Sequence, residues 1–178
     1  MVLVIVGDFA PEEILKEIKS RLNKNTDRKE ITRIYPTEKK EINKKYAEKQ
    51  MEVSLPLFMI GFKDNIKETY EDVVKRHIAI DILLNMLIGK SSNLYNSLYK
   101  EGYLLAQPDS EYEFGTEYAH VLIAGQSKEP KHVYEKILQR INQMKENEIN
   151  EQDFERIKKK IYGEYAVEYN NVSDIGRM

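Results

Sequence analysis

The chain has 178 residues, and 28 lysines and arginines against 30 aspartates and glutamates leave a formal charge of −2. That balance excludes a nucleic-acid binder working through a clustered basic face, and the absence of cysteine excludes disulfide scaffolds, thiolate zinc sites and cysteine nucleophiles. No apolar run reaches the roughly 18 residues of a membrane span, because the best stretch, Ile78 to Ile88, is broken by Asp81 and Asn85. The expectation is a soluble, cytoplasmic, globular protein with neither nucleic acid nor membrane as a partner. At about 100–200 residues per domain, it amounts to one domain or slightly more.

Val2-Leu3-Val4-Ile5-Val6 is a continuous aliphatic run, the pattern of a strand covered on both faces. Gly7-Asp8 then leads into a helix: Pro11 suits its first position, and Glu12 and Glu13 complement its positive end. Ile14, Leu15, Ile18 and Leu22 form that helix's apolar face. Residues 23–50 are rich in Lys, Glu, Asn and Thr and read as a charged linker or solvent-facing ribbon. From Met51 an alternating pattern predicts a strand ending at Phe62, with Pro56 marking an edge or a bulge. A long, largely central helix is predicted from about Lys67 to Ile88, stopped by Gly89.

Ser91 or Ser92 starts a shorter helix that ends at Gly102. Tyr103 to Phe114 and Glu117 to Ala124 are predicted as strands joined at Gly115-Thr116 in a hairpin. Pro130 opens an amphipathic helix, and Asn150 caps another whose stripe is Phe154, Ile157, Ile161 and Tyr165. Strands and helices cluster rather than alternate, which predicts an α+β fold: a mainly antiparallel sheet with helices packed on one face. An unaccompanied buried-type strand at one end, and a further cap at Ser173-Asp174 close to Met178, read as the cut ends of a longer polypeptide.

His77 and Asp81 stand four apart on one helical face, the spacing of two metal ligands. A working zinc site needs three protein ligands, and the other histidines, His120 and His132, fall on different elements; a core helix with a paired His and Asp is the better account. Neither His-x-x-Glu-His nor His-Glu-x-x-His occurs. Gly89-Lys90-Ser91-Ser92 imitates the tail of a phosphate loop, but the earlier glycine the motif requires is Leu84, so it reads as a helix stop followed by a cap. A single glycine in Val6-Gly7-Asp8 is too little for a dinucleotide turn, and the Gly-x-Ser-x-Gly elbow of serine hydrolases is absent. With 30 carboxylates, chance pairings are expected and single out no acid–base pair. No catalytic and no metal-binding residue is assigned. Tyr112, Phe114 and Tyr118, which flank the hairpin, are the candidates to line a peptide groove, against the plainer reading of tyrosines as amphipathic core residues.

Five ordered blocks carry a resemblance. Val4-Ile5-Val6-Gly7-Asp8-Phe9-Ala10-Pro11-Glu12-Glu13 is similar to the "V-V-V-G-D-x-x-P-E-E" segment of the pitrilysin/insulinase family of zinc metallopeptidases, which includes the mitochondrial processing peptidases. Leu57 to Phe62 resembles the strand after that family's linker, and Ala79 to Tyr95 its "L-L-G-x-x-S-S-x-L-Y/F" helix pair. Tyr99-Lys100-Glu101-Gly102-Tyr103 and Glu148 to Lys160 resemble the continuation and the "I-x-E-x-E-F-E-R-x-K-K" helix.

The resemblance implies that residues 1–22 are the terminal strand and helix of a preceding domain, and that 51–178 form a metallopeptidase-like chamber domain, truncated at its C-terminal end. In the family the zinc motif lies in the first domain, upstream of the segment that Val2–Leu22 resembles. It follows that no cofactor is expected in this chain, and that zinc is expected in the missing upstream domain. The implied partners are a peptide substrate, paired to a sheet edge, and the chain's own upstream domain or a homologous subunit. Many members also bring an arginine and a tyrosine of the second domain to the scissile carbonyl; here Gly115 to Gly125 has no arginine, and Tyr118 falls at another spacing. The resemblance therefore implies a non-catalytic chamber portion of a zinc-dependent endopeptidase. The competing class is an inactive scaffold subunit of the same fold, and a stand-alone small-ligand enzyme is a third reading.

Overall fold

A computed structural model describes residues 3–22, 32–34, 39–64, 69–115, 117–147 and 149–176. Its contacts divide the chain into two units, one of Pro36–Ile161 and one of Met1–Tyr35 with Tyr162–Met178. The larger unit holds β1 (Leu57–Asp64), α2 (Tyr70–Ile88), α3 (Asn93–Lys100), β2 (Asp109–Phe114), β3 (Ala119–Gln126), α4 (Pro130–Glu146) and the first turns of α5 (Glu151–Glu168). The smaller unit holds α1 (Pro11–Arg21), the end of α5 and α6 (Val172–Ile175).

Local chemistry sets the helix boundaries. Thr69 caps α2, its hydroxyl accepting the Asp72 N–H at 3.1 Å, and Ser92 does the same for α3 through the Tyr95 N–H at 3.1 Å. Between them, a Cβ on Gly89 would collide with the Asn85 carbonyl oxygen, so only glycine lets the chain leave α2 this closely. Past α3, Gly102 sits at φ +77. Its N–H donates to Tyr99 O at 3.1 Å and the Tyr103 N–H to Leu98 O at 2.9 Å, a Schellman closure that needs the left-handed residue. Asn150 caps α5 by accepting the Asp153 N–H at 3.0 Å.

The three strands are antiparallel in the order β1-β3-β2, with Ile60 opposite Ile123, Phe62 opposite Val121 and Tyr112 also opposite Val121. Alternation along β1 turns Phe58, Ile60, Phe62 and Asp64 inward, while Leu57 and Met59 stay 60% and 69% exposed. The inward side meets Leu84, Leu87 and Ile88 of α2, Leu98 of α3, and Val133 and Ile137 of α4 in one cluster. Helices therefore cover one face of an antiparallel sheet, the expected α+β arrangement. Among the described residues no helix is long and apolar enough to cross a membrane.

Several boundaries differ from expectation. Leu3–Val6 is not in a strand, and Leu3 and Val4 are more than half exposed; a two-face strand needs neighbours, and none of the described residues pairs with it. On α1 only Ile14 and Ile18 are partly covered, and Leu15 and Leu22 lie open. β1 begins at Leu57 rather than Met51, because Pro56 has no N–H to give a ladder and uses its carbonyl to accept the Ser127 N–H at 3.0 Å. β2 begins at Asp109 rather than Tyr103, since the Tyr103 and Leu104 N–H groups are taken by Leu98 O and Pro108 interrupts the rest. The α2 helix is central only in its second half: Leu84, Leu87 and Ile88 are buried, while Val74 and Ile78 are exposed. Thr116 and the predicted helix start at Lys67 lie outside the described residues. Of the charged segment, 32–34 and 39–50 carry neither helix nor strand, and Lys63 Nζ donates to the Lys39 carbonyl at 2.7 Å.

The assignment of faces predicts contrasting mutants. Ile123→Ala, in a site with no exposure, should lower the unfolding free energy by about 2–5 kcal/mol. Met59→Ala, on the uncovered face, should change it by about 0.5 kcal/mol or less. Urea unfolding of the two variants checks both values.

Candidate functional site

The alternation that turns Phe58, Ile60 and Phe62 inward carries Asp64 inward too, to the covered face at the end of β1. A carboxylate there needs partners to offset lost hydration. Arg76 of α2 supplies them, donating through Nε and Nη2 to the two carboxylate oxygens in a bidentate pair. Tyr112 of β2 adds its hydroxyl, which donates to Asp64 Oδ2 at 2.9 Å. Such fork-shaped, charge-assisted contacts are among the stronger hydrogen bonds in proteins. Hydrogen bonding to Asp64 raises the Arg76 pKa, and burial, followed by the bond to Asp64, raises that of the Tyr112 phenol.

Next to Arg76 in α2, His77 Nε2 lies 3.3 Å from Oδ2 of Asp81, one turn further along. The imidazole rests against Tyr112 and Phe114 at centroid distances of 6.1 and 5.8 Å, and its buried Nδ1 has no hydrogen-bond partner among the described residues. His120, on the uncovered face of β3, stands 3.2 Å from Glu113 Oε2 and stacks on Tyr118 at 5.7 Å. His132 of α4 packs its ring on Tyr103 at 4.2 Å. The three histidines thus occupy three separate environments. Among the described residues no group of three or more His, Cys, Asp or Glu side chains is arranged to hold a metal ion. These side chains do not fit a zinc ion, and His77 with Asp81 is a half-buried pair on α2.

The three aromatic candidates divide. Tyr112 and Phe114 face α2 together, 5.5 Å apart, but Tyr112 is 6% exposed with its hydroxyl engaged, whereas Phe114 is 43% exposed. Tyr118 is 46% exposed beside His120 and covers Gly115, whose N–H donates to Tyr118 O at 2.8 Å to close the hairpin. A Cβ on Gly115 would press into the Tyr118 ring. Sequence reasoning passed over the Asp64–Arg76–Tyr112 network. Its signal is present, however, as a charged residue in the inward phase of an apolar alternation.

The class is thus that of a mixed helix and sheet domain, a three-stranded antiparallel sheet covered on one face by helices, with Asp64 at the end of β1 held by Arg76 and Tyr112. Residues 1–161 match the family described as the peptidase M16 inactive domain, and the chain belongs to that family. It is 32% identical over 142 residues to the protein described as uncharacterized zinc protease YmfH of Bacillus subtilis (strain 168), covering 77% of this chain and 33% of that one. Its fold matches the crystal structure of a protein described as M16-like peptidase from Alicyclobacillus acidocaldarius, with a TM-score of 0.66 and 26% identity, over 70% of this chain and 30% of the other. The chain therefore spans about a third of the length of the relatives it matches.

The phenol yields a prediction on stability against pH. Its pKa is raised above 10.0 in the folded state, so its contribution is complete below pH 10 and is lost as pH rises through the folded value. Tyr112→Phe should cost about 1 kcal/mol at neutral pH. The variant should also lose less stability than the parent above pH 10, as chemical unfolding across that range will measure.

Proposed function

We propose that this chain is the non-catalytic, substrate-enclosing portion of a zinc-dependent endopeptidase. The carrying observation is the family match over residues 1–161, in a chain whose described residues gather no metal-ligand set. On this reading residues 1–22 end a preceding domain, 23–50 connect, and 51–178 form the chamber portion. The zinc ion and the water it activates belong to the upstream domain. That domain, or a homologous subunit, is the partner, and the substrate is a peptide. A relative described as a zinc protease supports the same assignment. The proposed setting is the cytoplasm.

Phe114 and Tyr118 have open ring surfaces to offer a peptide, and Tyr112 supports Phe114 from beneath. The chain's role is then geometric: it supplies walls that hold an extended segment near chemistry performed elsewhere.

The test compares the 178-residue chain with the longer polypeptide that includes the upstream segment. With added zinc, the chain alone should leave a fluorogenic peptide intact. The longer protein should cleave it, and a chelator should stop that cleavage. Zinc-dependent turnover by the chain alone overturns the proposal; an upstream segment without His-x-x-Glu-His and without turnover assigns the protein to the scaffold class.

A further inference from the structure

Away from the sheet, the turn between α2 and α3 meets the end of α4 and the start of α5 around a cleft of about 160 Å³. Its apolar lining includes Met86, Met144 and Ile157, and two guanidinium groups, Arg140 of α4 and Arg156 of α5, line it as well. Arg156 is committed: Nη1 donates to Ser91 Oγ at 2.9 Å and Nη2 to Asp153 Oδ1 at 2.9 Å. Arg140 is half-buried, and no hydrogen bond or ion pair engages it among the described residues. Among the described lining residues, the two cations stand against the single carboxylate of Asp153.

A partly covered guanidinium that no described protein group engages keeps its planar fork of donors available to a planar anion. We propose that this cleft binds a carboxylate, with Arg140 as the bidentate donor and Arg156 positioned beside it by Ser91 and Asp153. The apolar lining gives the attached carbon chain a place to rest, which an inorganic anion does not use. The ligand is a peptide carboxylate, from a free C-terminus or an acidic side chain. This inference does not depend on the longer polypeptide being a peptidase.

The arginine Nε–Hε signals of the full chain, followed by nuclear magnetic resonance at low ionic strength, test it. Three versions of one short acetylated peptide are titrated: neutral with an amide end, the same with a free C-terminus, and the amide form carrying one glutamate. A saturable shift of the Arg140 signal with either acid-bearing peptide, and none with the neutral one, is the expected result. Which acid acts identifies the source of the carboxylate. Arg140→Gln should weaken binding about tenfold or more. Arg140→Lys, which keeps the charge but loses the fork, should fall between parent and Gln variant. A thermal melt confirms that each variant is folded, and the Lys variant carries the comparison where the Gln variant is not. The proposal is overturned by the absence of any saturable shift with both acid-bearing peptides, by unchanged affinity in folded Arg140 variants, or by inorganic phosphate binding as tightly as the acids.

Discussion

Strand β3 pairs with β1 on one side and β2 on the other, so its register decides which residues of both neighbours meet the helices. With Ile60 opposite Ile123 and Tyr112 opposite Val121, the inward phase of all three strands coincides. A slip of one residue would turn Phe58, Ile60 and Phe62 to the uncovered face and bring Met59 and Lys63 onto α2 and α4. The apolar phase alone resists that slip. Glycine reinforces it at one point, since a Cβ on Gly125 would crowd the Phe58 ring opposite.

That same phase imposes a cost at Asp64, and the response to it organises one end of the sheet. Arg76 and Tyr112 come from different elements, and their convergence on one carboxylate joins α2, β1 and β2. Removing Arg76 would strand the more covered partner, Asp64, whereas Arg76 itself keeps contact with solvent. The network is thus better regarded as a device for specifying one packing arrangement than as a source of net stability. It also explains why Tyr112 makes a poor free surface while its neighbour Phe114, two residues along the same face, keeps an open edge.

Much of the architecture was legible from pattern. Capping residues announced themselves: Ser92, Asn150, Pro130 and Gly102 stand where the helices begin or end. Less legible were strand limits, because alternation through residues 51–55 and an apolar run through 103–106 continue whether or not a ladder partner exists. Pro56 and Pro108 carried the missing information, each marking where pairing stops rather than a bulge within it. The half-exposed α2 was misread for a related reason. Val74 and Ile78 are as apolar as Leu84 and Leu87, and only the tertiary layout decides which of them is covered.

For the candidate site the limits are different in kind. That His77, His120 and His132 fall on separate elements was readable from their spacing, and the structure gives each a different neighbour: Asp81, Glu113 with Tyr118, and Tyr103. Spatial convergence over 48 residues, as between Asp64 and Tyr112, was not readable from local pattern. The same holds for the 65 residues between Ser91 and Arg156. The first contact joins two strands, and the second fastens a helix to a turn. Asp64, Arg76 and Tyr112 in one place, and Ser91, Asp153 and Arg156 in the other, spend their polar groups on one another, so each element's position is fixed by residues that no local pattern connects.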